Sequence, residues 1–192
     1  MRLAVLCLVA SAVLPPLSRA QTPVFEITKG ESKTTFHVKA SVAIDGVFDK
    51  WDATLTFKSP DLTTGVLDIK IQADSVDTGS GMKNGKLKSR DFFNVDENPL
   101  ITFKSTKFEQ TGPNTVEVDG DFTIRGVTKP EKLTFATPDK GKGEGEIKGT
   151  MAFDRKEYGM NKGIPLVKIA DRVEVTVDLK GKRVSGPPLD LK

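Results

Sequence analysis

Beyond its first twenty residues this sequence has no cysteine, and the one it has is Cys7. It has a single histidine, His37, a single tryptophan, Trp51, and a single tyrosine, Tyr158. Each scarcity excludes something. A disulfide framework is impossible without a cysteine pair. A conventional zinc site draws three or four ligands from His, Cys, Asp and Glu, and this chain is short of the first two. No G-x-S-x-G elbow presents a nucleophile, so a Ser-His-Asp relay would have to be assembled around His37 alone. Neither sign of charge dominates. Of the 29 Lys and Arg, Arg2 and Arg19 fall in the first twenty residues, leaving 27 basic against 26 acidic side chains. That balance gives no electrostatic case for a nucleic-acid partner. The longest apolar run, Leu3 to Leu14, is too short to cross a bilayer.

That run follows Arg2 and precedes Ser18 and Ala20, small residues placed for cleavage before Gln21. Residues 1–20 therefore read as a secretory signal peptide. The expectation is an exported chain, periplasmic or secreted, with no integral membrane segment after processing. The remainder, residues 21–183, is long enough to bury one core and reads as one domain. Residues 184–192 contain Pro187 and Pro188, which end the strand pattern, and are expected to form a flexible tail.

What is present is alternation. Phe36, Val38, Ala40, Val42 and Ile44 share one face of "KTTFHVKASVAI", and Thr35, His37, Lys39 and Ser41 share the other. Trp51, Ala53, Leu55 and Phe57 repeat the pattern, as do Leu67, Ile69 and Ile71. Val116, Val118, Phe122 and Ile124 follow, then Leu133 and Phe135, Met151 and Phe153, and Val173 to Leu179. Period two with one apolar face is the pattern of antiparallel strands. Seven or eight such segments joined by Gly-, Asp- and Asn-bearing turns make an all-β domain, as a two-sheet sandwich or as a closed barrel.

The stretch from Gln72 to Phe103 departs from this pattern. It holds Asp77-Thr78-Gly79, a triplet also found in aspartic proteases. Those enzymes need two carboxylates sharing a proton, and one short motif supplies only one. Ser75, Asp77 and Thr78 read better as turn and cap residues before a short helix near Ser80–Phe93. Lys83, Lys86, Lys88 and Arg90 would lie close together on such a helix. They could meet an anionic head group, or form a solvated face balanced by Asp91, Asp96 and Glu97. A second irregular stretch, residues 154–172, contains Tyr158. Two such excursions on one β domain are suited to capping a cavity.

Eleven phenylalanines tilt the composition toward an apolar interior. Phe36, Phe57, Phe103, Phe122, Phe135 and Phe153 fall on or near strands, where they could fill a core or line a tube.

In order and spacing, four stretches resemble the YceI-like, or polyisoprenoid-binding, family. They are "SKTTFHVKASVAIDGVFDKW", "IKIQADSVDTGSGMKNGKLKSRDFFNVDENPLITFKSTKFEQTG", "VDGDFTIRGVTKPEKLTF" and "FDRKEYGMNKG" with "IADRVEVTVDLKG". The resemblance implies an extended eight-stranded antiparallel lipocalin-like barrel with a short helical lid. It implies a long isoprenoid or quinone-like lipid inside, bound without catalysis and without a further cofactor. Pocket candidates are then Phe36, Phe57, Phe103, Phe122 and Phe135, with Leu87, Phe92 and Phe93 from the lid. Lys83, Lys86 and Lys88 are candidate head-group contacts. The family often carries Arg-Asp-x-His-Leu where this chain has Lys83, Asn84, Gly85, Lys86 and Leu87, so its polar contacts differ. A filled barrel acting as an interaction or envelope stress module is the alternative. A dimer through a strand edge or the lid is compatible with the sequence.

Overall fold

The computed structural model describes residues 22–41, 43–137, 144–163 and 167–191. The expected signal peptide lies outside the described residues. In chain order the strands are β1 (Val24–Ile27), β2 (Lys33–Ala40), β3 (Ile44–Phe48), β4 (Trp51–Thr56), β5 (Val66–Gln72) and β6 (Val76–Asp77). The helix α1 (Gly81–Lys88) follows, then β7 (Leu100–Gly112), β8 (Thr115–Ile124), β9 (Val127–Ala136), β10 (Glu144–Asp154) and β11 (Ile169–Ser185).

These strands amount to eight passes of the chain. β1 and β2 are two halves of one pass, because both pair with β11: Phe25 faces Arg183, and Val38 faces Val173. One 3-10 turn, Lys29–Glu31, separates them. The ladder continues across that break through a side chain, since Lys180 N donates to Ser32 Oγ (3.0 Å) beside Thr28 N to Lys180 O (2.8 Å). β3 and β4 form the second pass, opposite β6 and β5. Gln72 N donates to Lys50 O (2.9 Å) and Asp49 N to Ser75 O (3.3 Å), which bridges that break. Each later strand pairs with its successor, and β1 meets both β4 and β11. The sheet closes on itself as an eight-stranded antiparallel lipocalin-like barrel. Closure removes the free edges an open sheet would expose.

Period two predicts which residues point inward, with one interruption. On β7, Ile101 and Phe103 are buried and so is Phe108, which has the opposite parity. A bulge between Ser105 and Lys107 resets the register, as one extra residue must. Ser105 uses the irregularity to accept from Leu67 N (2.8 Å) on β5.

The β8–β9 hairpin turns through Arg125 and Gly126, both left-handed (φ 55° and 73°). A two-residue turn of this kind matches the strand twist and favours Asn-Gly or Asp-Gly. Arg125 is held there by its guanidinium, which donates to Gly159 O (3.0 Å) and Arg90 O (2.9 Å). The turn is thereby tied to both excursions that cover this end of the barrel.

Of the expected tail, the described residues 184–191 are held against the barrel. Val184 and Ser185 complete β11. Asp190 N donates to Pro60 O (2.9 Å), and Leu189 and Leu191 pack against the core. Their alternate spacing lets two apolar side chains face the barrel together.

Candidate functional site

The barrel has two ends. The lid end gathers α1, residues 89–98 and residues 155–163. The tail end gathers residues 57–65 and 186–191. The lumen between them is layered. A cavity of about 100 Å³ lies at the tail end, lined by Phe25, Leu55, Phe57, Leu67, Phe108, Val116, Phe135, Leu179, Leu189 and Leu191, among others. A cavity of about 70 Å³ lies under the lid, lined by Thr34, Phe36, Phe48, Ile71, Leu87, Phe92, Phe93, Ile101, Phe122, Phe153 and Val173, among others.

A packed waist separates them. On β5, Leu67 lines one cavity, Ile71 the other, and buried Ile69 lies between and lines neither. The same holds for Phe103 on β7, Val118 on β8, Met151 on β10 and Val177 on β11. Phe103 pairs with Phe122 on β8, and its ring fits because it reaches over Gly120, two residues along that strand. A Cβ at that position would lie 2.5 Å from the ring and 2.6 Å from Lys104 O. Gly149 makes the same allowance for Phe135, at 2.6 Å. The rings lie flat against the wall because the wall has no side chain there.

The lid is built from short-range polar contacts. Ser80 Oγ caps α1 by accepting from Lys83 N. Asp77 accepts from Gly79 N (2.9 Å) and Asn84 Nδ2 (3.0 Å), while Thr78 N and Oγ1 donate to Asn84 Oδ1 (2.9 and 2.7 Å). The Asn84 amide, then the Gly79 amide, hold the Asp77 carboxyl below its usual range. The Asp-Thr-Gly triplet is thus a turn locked to the helix. Leu87 and the following Phe92 and Phe93 point down into the lumen, where Phe93 meets Phe48 (5.9 Å between centroids) and Phe36 (6.4 Å).

Beside the lid, Phe122, Phe153 and Tyr158 form a three-ring cluster with centroids 5.1–5.5 Å apart. Tyr158 is fully buried and donates to Glu131 Oε1 (2.8 Å). Burial, and then that carboxylate, push its phenol well above the usual range. Arg155 is buried too, and its guanidinium is fully engaged. It donates to Ala170 O (3.1 Å), Lys162 O (3.1 Å), Met160 O and Asp171 Oδ1 (3.1 Å). This pins residues 155–163 to the start of β11.

The structure divides the residues singled out in the sequence. Phe36, Leu87, Phe92, Phe93 and Phe122 meet in the lid cavity. Phe57 and Phe135 line the tail cavity, and Phe103 lines neither. The lysines sit on the outer rim. Lys83 Nζ reaches Ala43 O (3.4 Å), and Lys86 pairs with Asp91 (2.5 Å) over the Phe92 ring (5.7 Å). Lys88 is half-buried on α1, near Asp77. His37 faces outward, 39% exposed, with Nδ1 2.6 Å from Asp45 Oδ1. The one histidine is therefore on the outer wall, away from the lumen. Sequence reading missed Thr34, Phe108 behind its bulge, and Leu189 and Leu191, whose alternation is visible in "PLDLK". Among the described residues no helix is long and apolar enough to cross a membrane.

The YceI-like domain pattern matches residues 25–181. Among curated proteins, a UPF0312 protein of Ectopseudomonas mendocina is 27% identical over 143 residues, spanning 72% of this chain and 74% of that protein. Among solved structures, Burkholderia cenocepacia BcnA superposes with a TM-score of 0.68 at 25% identity, over 81% of this chain and 99% of that one. A polyisoprenoid binding domain from Saccharophagus degradans superposes with a TM-score of 0.57 at 14% identity, over 83% and 98%. At that identity the second likeness concerns the fold alone.

Proposed function

The chain belongs to the YceI-like domain family, and from that premise we propose that its barrel binds and carries, or sequesters, a long-chain isoprenoid or quinone-like lipid without transforming it. One observation carries the reading. The lumen is lined mostly by apolar side chains, and its two cavities lie in line with a single layer of side chains between them. The name of the Saccharophagus degradans domain is consistent with this. Each CH₂ taken from water contributes about 0.8 kcal/mol, so a ten-carbon stretch contributes about 8 kcal/mol before ordering costs.

The cavities, about 100 and 70 Å³, are small beside the roughly 300–1,000 Å³ of typical ligand sites. A long chain therefore enters by repacking the waist, joining the two. Phe103 and Met151 are the side chains to move, and methionine adapts readily to such a change. The reading includes export through the leader at 1–20 to the periplasm or beyond. The packed waist also supports a second reading, a filled barrel that acts as an interaction module.

Native mass spectrometry of the protein purified from its own host decides between them. One lipid per chain is expected, identified after solvent extraction. A clean ligand-free mass, unchanged after incubation with a long-chain prenol and a long-chain quinone, would overturn the lipid reading in favour of the second.

A further inference from the structure

One polar group in the lid cavity has no partner. Thr34 on β2 is 1% exposed and shares the inward face with Phe36 and Val38. It lines the lid cavity at the level of the waist, opposite Val177 on β11. Its Oγ1 is buried and makes no hydrogen bond. A valine would have the same shape without the cost of burying an unpaired hydroxyl. The other polar side chain lining this cavity is Arg155, and its guanidinium is taken up by three carbonyls and Asp171. No charge is left over inside to hold an anion. The rim cation Lys86 lies outside, paired with Asp91.

We propose that Thr34 Oγ1 is the polar contact of the lumen, and that it hydrogen-bonds a neutral oxygen of the lipid, an alcohol or a quinone carbonyl, drawn down to the waist. This rests on the lipid-binding reading and adds the class of head group. A threonine hydroxyl both donates and accepts, so it serves a carbonyl or a hydroxyl equally. A pyrophosphate is disfavoured there, because a buried anion needs paired charge or several donors. With the oxygen at Thr34, the hydrocarbon extends through the waist toward the tail cavity, where all eight passes offer apolar side chains.

The test uses the full mature protein and its Thr34→Val and Thr34→Ser variants. Each is titrated with phytol, with its oxygen-free counterpart phytane, with decylubiquinone and with geranylgeranyl pyrophosphate, using native mass spectrometry. Thr34→Val is expected to bind phytol or decylubiquinone about tenfold more weakly, the worth of one hydrogen bond in a dry site. Its affinity for phytane stays at the parent level, and it melts no lower than the parent. Thr34→Ser keeps the preference for the oxygenated probes. Loss with phytol alone assigns an alcohol, and loss with decylubiquinone alone assigns a quinone. Equal binding of every probe by parent and Thr34→Val overturns the assignment and leaves lipid binding standing. Preference of the parent for the pyrophosphate overturns the neutral head. Failure of the parent to bind any probe overturns both readings.

Discussion

Removing the Phe103 ring should weaken the empty protein and open it to lipid in one step. Phe103 is 3% exposed and lines neither cavity. It lies against Gly120, where the wall has no side chain to slide into the vacated space. Phe103→Ala is thus a large-to-small change at a site with little ability to collapse, and such changes cost about 3–5 kcal/mol. For a domain of this length each kcal/mol moves the melting temperature by about 2–4 °C, so the empty variant should melt roughly 6–20 °C lower. The same change should join the two cavities. The variant should then take up a long prenol at lower concentration than the parent. Lipid at a hundred times its dissociation constant returns about 2.7 kcal/mol, most of the deficit. Calorimetry of lipid-stripped protein, with and without added prenol, reads both numbers. A loss below about 1 kcal/mol in the stripped variant would refute the packed waist. A full loss with no gain in lipid uptake would refute the idea that the waist gates the lumen.

Other sites make their own predictions. Gly120→Ala should place a Cβ 2.5 Å from the Phe103 ring and cost about 1–3 kcal/mol, read as a lower urea midpoint; an unchanged midpoint would show that the strand relaxes freely. Arg155→Ala should destabilise by about 1–3 kcal/mol, because three backbone carbonyls lose their donor while Asp171 keeps Lys156 (2.8 Å), and Arg155→Lys should not restore it, since one ammonium cannot span the fork. Full rescue by lysine would count against that account. Leu189→Asp with Leu191→Asp should uncover the tail cavity and raise binding of a solvent-sensitive apolar dye, while dye binding equal to the parent's would mean that residues 187–191 do not cover it. The carboxyls of Asp77 and Asp91 are held low by Asn84 and Lys86 in the folded lid, so their contribution is complete above the unfolded carboxylate range near pH 4 and lost as pH falls through the lower folded values. Protection factors of residues 77–93, each exchange rate divided by the intrinsic rate at that pH, should therefore fall below about pH 4, and protection that stays constant to about pH 2.5 would dismiss these carboxylates as the lid's fastening.

The candidate site was legible in parts. Phe36, Phe122, Leu87, Phe92 and Phe93 come from three separated stretches, and the structure brings them together under the lid. Phe57 and Phe135 carry the same alternation signal but lie at the other end, because position along a strand decides the layer. Thr34 was invisible as a site residue. In "KTTFHV" it looks like any polar neighbour of Thr35, and only register against β11 shows that it faces inward.

Alternation alone determined that this is a β domain with one apolar face per strand, since side chains on a strand must alternate and water sorts them. Residue types alone also determined that no disulfide holds it. Closure into eight passes was decided by tertiary structure. It depends on β1 and β2 sharing one neighbour across a break that Ser32 bridges, and on β1 reaching β4. The division of the lumen was likewise decided there. Whether a phenylalanine fills space or borders it depends on what stands across the barrel, and on whether the adjacent strand offers a glycine for the ring to lie against.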